Sequence, residues 1–125
     1  MSIVYLAGGF KSGWQKKVIS HHVLIDPSEK EKVGVWTMDK ICKWDRAAIE
    51  ISDILFAYLE KDNPSGIGLS CEIGYACALK KTIIFVNEKE EAKFQFINGF
   101  SVINGFSDYF TTSFQDGIDR LNKLK

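Results

Sequence analysis

A chain of 125 residues, 46% apolar and 26% charged, is long enough for one domain with a real core and short for two. Its sixteen basic residues balance sixteen acidic ones, which gives no general attraction to nucleic acid polymers or to anionic membrane surfaces. Three cysteines without C-x-x-C spacing and one adjacent pair of histidines argue against a metal site and for a reducing, cytoplasmic setting.

Met1 to Ala7 is apolar at once, with no basic stretch ahead of a long apolar segment. Neither a signal peptide nor a membrane span is expected. Ile3 to Ala7 reads as a buried strand ended by Gly8 and Gly9. Phe10 to Ser20 is expected as a first helix, though its periodicity is weak. His22 to Ile25 reads as a short second strand closed by Asp26-Pro27. Ser28 to Lys32, rich in lysine and glutamate, is expected to be a solvent-exposed loop.

Met38 to Ser52 reads as a helix whose inner stripe is Ile41, Trp44, Ala48, Ile49 and Ser52. Asp39 and Asp45 are taken as surface charges. Asp53 then opens a very apolar strand, Ile54 to Leu59. The loop Glu60 to Gly68 leads into a helix from Leu69 to Leu79, whose small residues suit close packing on a sheet. Thr82 to Val86 is another buried strand, and Asn87 to Lys93 a polar loop or short helix. Phe94 to Phe106 is less regular, with Ser101 to Ile103 as a candidate fifth strand. Asp108 to Leu124 is the closing helix.

Apolar strands alternating with helices imply a sheet covered on both faces, open and mostly parallel. In such folds ligands lie beyond the carboxyl ends of the strands, near the reversal of strand order. That rule draws attention to Gly8-Gly9, to the loop after Leu59, and to Asn87.

Two constellations stand at those places. Gly8 and Gly9 permit close approach of backbone to a ligand, without the spacing of a dinucleotide fingerprint or a P-loop. The run from Pro64 to Glu72 takes a glycine-bearing loop into a helix, which offers amide donors to a phosphate or a sugar hydroxyl. Only Arg46 and Arg120 among the basic residues are arginines, so lysines, amides or a hydroxyl would have to hold any phosphate. Glu72 is read either as a helix charge facing water or as a buried catalytic group, and the helix dipole favours its ionised form. Asp53 is read either as a turn residue or as a site residue.

Taken together, Tyr5-Leu-Ala-Gly-Gly-Phe10, Asp26-Pro27, Trp44-Asp45, Ser52-Asp53 and the segment from Asn63 to Ala76 resemble the nucleoside 2-deoxyribosyltransferase family. The resemblance covers roughly residues 3 to 86. It implies a flavodoxin-like three-layer sandwich, a mostly parallel five-stranded sheet with helices on both faces, as a single domain over residues 1–125. It also implies cleavage of the N-glycosidic bond of a (deoxy)nucleoside or nucleotide, with Glu72 as nucleophile and transfer of the sugar to a second base. Asp53 would assist departure of the base, and Tyr5 would hold the catalytic carboxylate. Gly8, Gly9 and Phe10 would line the sugar and base. Where the transferases carry an aspartate as proton donor, this chain has Gly66. Ser65, Gly66 and Gly68 are more similar to the loop of the related 2-deoxynucleoside 5'-monophosphate N-hydrolases, where a serine holds the phosphate. Hydrolysis of such a monophosphate is therefore one alternative, and a non-catalytic nucleotide-binding domain another. Asn104, Asp108 and Tyr109 are candidates for the family's subunit-crossing asparagine. No cofactor is expected. The partners expected are a small nucleoside or nucleotide and further copies of the chain, as a homodimer or larger homo-oligomer. Neither nucleic acid nor membrane is expected. Phe94, Phe96, Phe100, Phe106, Phe110 and Phe114 are more aromatics than one sheet edge needs.

Overall fold

The computed structural model describes residues 1–32, 34–89 and 102–125, without the side chains of residues 31 and 32. Five strands form one sheet in the order β2-β1-β3-β4-β5. They are β1 (Ile3–Gly8), β2 (Val23–Ile25), β3 (Ile54–Leu59), β4 (Thr82–Asn87) and β5 (Tyr109–Thr111). Every pairing is parallel, and this order is the flavodoxin-like one. The helices are α1 (Met38–Ile51), α2 (Ile67–Ala78) and α3 (Phe114–Lys123). Among the described residues, no helix is long and apolar enough to cross a membrane.

Alternation along the strands divides the core in two. Tyr5, Ala7, Leu55, Ala57, Leu59, Ile83 and Phe85 face α1 and α2, where Ala48, Ile49, Leu69, Ile73 and Ala76 meet them. Val4, Leu6, Ile54, Phe56, Tyr58, Ile84 and Val86 face α3 and the Trp14 turn. All six residues of β3 are buried, as expected of a central strand with both faces covered. The division matters for the site, because it aims Tyr5 at α2.

Both α1 and α3 start on side-chain caps. The Thr37 hydroxyl accepts from the Lys40 amide at 3.3 Å, and the Ser113 hydroxyl from the Asp116 amide at 3.2 Å. At Gly117 of α3 an added Cβ would lie 2.4 Å from Val86 Cγ2. The helix therefore approaches the sheet as closely as only glycine allows.

Three expected elements differ. The helix over Phe10 to Ser20 is a single 3-10 turn, Trp14–Lys17. Gly13 before it is left-handed (φ 71°), and the buried Trp14 donates its indole N–H to the Gly9 carbonyl at 2.9 Å. The ring is thus pinned against the end of β1 and the chain turns rather than winding on. The loop at Ser28 to Lys32 is also a 3-10 turn, Pro27–Lys32, and Lys30 points inward from it.

The fifth strand is Tyr109–Thr111, not Ser101 to Ile103. Ser101 lies outside the described residues, and positions 102–104 are helical. Asp108 explains the change. Its carboxylate accepts from the Ile83 amide at 2.7 Å, and its own amide donates to the Ile83 carbonyl at 2.9 Å. Tyr109 to Thr111 is thereby laid along β4, and the closing helix waits for Ser113. Phe94, Phe96 and Phe100, invoked for oligomerisation, lie outside the described residues, as does most of the irregular stretch Phe94 to Phe106.

Candidate functional site

The strand order reverses between β1 and β3, so the crevice opens beyond Gly8 and Leu59. Gly8 has φ +154°, and an added Cβ would stand 2.6 Å from the Tyr58 carbonyl. Only glycine lets β1 end this close to β3. After β3, the Asn63 carboxamide accepts from the Ser65 amide at 3.0 Å, and the Ser65 hydroxyl from the Ile67 amide at 3.2 Å. Gly66, left-handed at φ 82°, then starts α2 without a side-chain cap. Gly8, Gly9, Asn63, Ser65, Gly66, Gly68 and Glu72 line one cavity of about 240 Å3. Five of the predicted backbone and loop positions are thus brought to the predicted nucleophile.

Glu72 stands in the second turn of α2, half-buried, over the face of the sheet that presents Tyr5. The Tyr5 hydroxyl donates to Glu72 Oε2 at 2.7 Å. Burial raises the Glu72 carboxyl from 4.5 to about 7. The Tyr5 hydrogen bond opposes that shift, Asp45 adds to it, and Lys30 opposes it. The helix dipole was expected to favour the ionised form. At the second turn it is weak, and desolvation prevails. Burial, with Glu72 and Asp45 nearby, raises the Tyr5 hydroxyl far above its ordinary value, so it stays a donor.

The second carboxylate of the site is Asp45 of α1. It lines, with Glu72, a groove of about 530 Å3 between α1 and α2 whose other walls include Ile41, Cys42, Ile49, Gly68 and Tyr75. Lys30 Nζ lies 3.1 Å from Asp45 Oδ1. The Lys30 side chain is only 2% exposed, and its ammonium donates to the Pro27 carbonyl at 3.0 Å. It sits 5.3 Å from the Phe10 ring centre and 5.1 Å from that of Trp44. Phe10, expected at the sugar and base, lies beside Lys30 and is not among the residues that line the cavity or the groove.

Asp53 is not brought to the crevice. Its carboxylate accepts from the Ile3 amide at 2.8 Å, its amide donates to the Ile3 carbonyl at 2.8 Å, and its carbonyl accepts from the Thr82 amide at 3.1 Å. It joins three strands at their amino-terminal ends, while the crevice lies at their carboxyl ends. Asp108 does the same for β4 and β5. Asn104 accepts from the Asn87 carboxamide at 3.2 Å, and Tyr109 donates to Asp116. Neither is brought to Glu72.

Asp45 was legible after all. Ile41, Asp45 and Ile49 follow at four-residue steps, so the acid interrupts the inward apolar stripe of its helix. Lys30 carried no such signal within a run of alternating charges.

Solved structures that share this fold include those of three proteins. A 2-desoxiribosyltransferase from Leishmania mexicana matches with a TM-score of 0.69 at 15% identity, over 98% of each chain. The CMP N-glycosidase BcmB from Clostridium botulinum matches at 0.57 and 22% identity, over 97% of this chain and 98% of that one. A conserved protein from Enterococcus faecalis V583 matches at 0.53 and 19% identity, over 98% and 88%. These likenesses establish the fold. No curated protein matches the sequence. The family model described as "Nucleoside 2-deoxyribosyltransferase like" matches residues 2–90, which span β1 to β4 and every residue of the Glu72 site. The chain belongs to the nucleoside 2-deoxyribosyltransferase-like family.

Proposed function

We propose that this protein cleaves the N-glycosidic bond of a (deoxy)nucleoside or nucleotide, with Glu72 as nucleophile, and passes the sugar to a second base. The observation that carries this reading is the Tyr5–Glu72 hydrogen bond, set where the glycine-lined cavity meets the groove. Tyr5 fixes the carboxylate and leaves its other oxygen for the anomeric carbon. Attack forms a glycosyl ester as the bond to the base breaks. The departing base takes a proton from a water molecule. A second base or water then displaces Glu72 and regenerates its carboxylate. Asp45, ion-paired with Lys30, acts as an acceptor that orients N–H or O–H groups of the substrate. The named activities of the Leishmania and Clostridium proteins, a deoxyribosyltransferase and a CMP N-glycosidase, support the same bond as the target.

A second reading is hydrolysis of a 2-deoxynucleoside 5'-monophosphate. It is favoured by Ser65 and the uncapped start of α2, which suit a phosphate across the cavity from Glu72. Incubation with deoxynucleosides and their monophosphates, with and without a second base, separates the cases. Exchange that needs the acceptor supports transfer, and free base without it supports hydrolysis. No product from any member of the panel would leave a nucleotide-binding domain without turnover.

The groove beside Glu72 is largely apolar, and Met38 in its lining is 72% exposed. We read this side as covered by a second copy of the chain. Light scattering at micromolar concentration is expected to give at least the dimer mass, and a monomer overturns it. The free thiols Cys42, Cys71 and Cys77 fit a cytoplasmic setting.

A further inference from the structure

Glu72, which accepts from the Tyr5 hydroxyl, and Asp45 are two carboxylates that line one groove, and two such charges repel. The ammonium of Lys30 is buried beside them. It is anchored by the Pro27 carbonyl at 3.0 Å, ion-paired with Asp45 at 3.1 Å, and flanked by the Phe10 and Trp44 rings. Such burial is costly for a lysine without a partner and is tolerated where a carboxylate needs it. The placement is specific. Lys30 comes from a turn between β2 and α1, remote in sequence from Glu72, and it meets the groove through Asp45.

We propose that Lys30 is a positioning residue of the Glu72 site: it locks the Asp45 side chain in place and supplies the positive charge that offsets the repulsion between the Asp45 and Glu72 carboxylates. The proposal rests on Glu72 being the nucleophile only for its effect on turnover, since the charge relation exists in the protein without substrate. The groups that face Glu72 are Tyr5 from β1, Asp45 from α1 and Lys30 from the Pro27–Lys32 turn, and Arg46 also lines the groove.

The test is a carbon-detected NMR titration of the Glu72 carboxyl, assigned by its loss in Glu72→Gln, in the wild type and in Lys30→Met. Methionine keeps the length and removes the charge. The Glu72 midpoint is expected to move to higher pH by about one pH unit. If substrate is turned over, the acid limb of kcat/KM moves with it, so that the rate below the limb falls about tenfold while the alkaline rate is nearly kept. A purely structural role would lower the rate equally at every pH and leave the midpoint alone. An unchanged midpoint overturns the proposal. If wild type turns over no substrate, the functional reading fails while the titration still decides this one. Should Lys30→Met not fold, Lys30→Met/Asp45→Asn leaves neither charge unpaired. Its midpoint, compared with that of Asp45→Asn alone, is expected to be higher, and equality overturns the proposal.

Discussion

Replacing Glu72 with glutamine is expected to lower turnover by at least about a thousandfold while leaving the fold intact. Glutamine keeps the size and can still accept from Tyr5, but it cannot form and release a glycosyl ester. Wild-type-like rates in this variant, on any nucleoside the native protein cleaves, would remove Glu72 from the mechanism. The same carboxyl fixes the pH dependence. The ionised form is the reactive one, so kcat/KM of the wild type rises with pH through about 7, where burial has placed this group. Stability runs the other way. A carboxyl raised in the folded state from 4.5 to about 7 favours folding while it is protonated, and that advantage is lost as pH rises across this interval. Glutamine has no charge to desolvate. The variant should therefore melt above the wild type at alkaline pH, with the gap closing as the pH falls toward the ordinary carboxylate range. A gain in stability together with a loss of rate is what a group held in a costly environment for chemistry predicts.

The sheet was readable because its strands are apolar throughout and bounded by turn residues. Ile54 to Leu59 and Thr82 to Val86 need no long-range information to be recognised as covered strands. The short elements were not readable in this way. Trp14 sits in a region with several helix-forming lysines, yet one indole hydrogen bond to Gly9 decides its geometry. The sequence Tyr109-Phe-Thr111 continues an apolar periodicity that suits a helix, and it becomes a strand because Asp108 ties it to Ile83. The site divides similarly. The nucleophile and its glycine loop are contiguous in sequence and could be read together. The electrostatic partners, Asp45 and Lys30, converge from separate elements. Asp45 betrays itself by interrupting an apolar stripe, whereas Lys30 is indistinguishable in sequence from the charged residues around it until the fold turns it inward.

The two aspartates test that division directly. Asp53 was expected to assist departure of the base, and Asp45 to be a surface charge; the structure puts Asp45 beside Glu72 in the groove and Asp53 at the opposite ends of the strands. Asp45→Asn should lower kcat/KM by about a hundredfold, the range for a group that handles a proton or a polar contact at the reacting centre. Its oxygen remains, so the loss reflects charge and acceptor capacity more than packing, and removing it strands Lys30 without its counter-ion. Asp53→Ala should do the reverse. It removes the acceptor for the Ile3 amide at the amino-terminal end of the sheet. That site is exposed, so the cost is about 1 kcal/mol of stability, seen as a melting temperature lower by a few degrees. The rate per folded molecule should stay within about twofold of wild type, because Asp53 lies at the ends of the strands opposite the crevice. Steady-state kinetics and thermal melts on both variants read the two effects separately. A large kinetic loss in Asp53→Ala with a normal melt would return that residue to the site. An unaffected Asp45→Asn would mean that Glu72 and Tyr5 act without a second carboxylate.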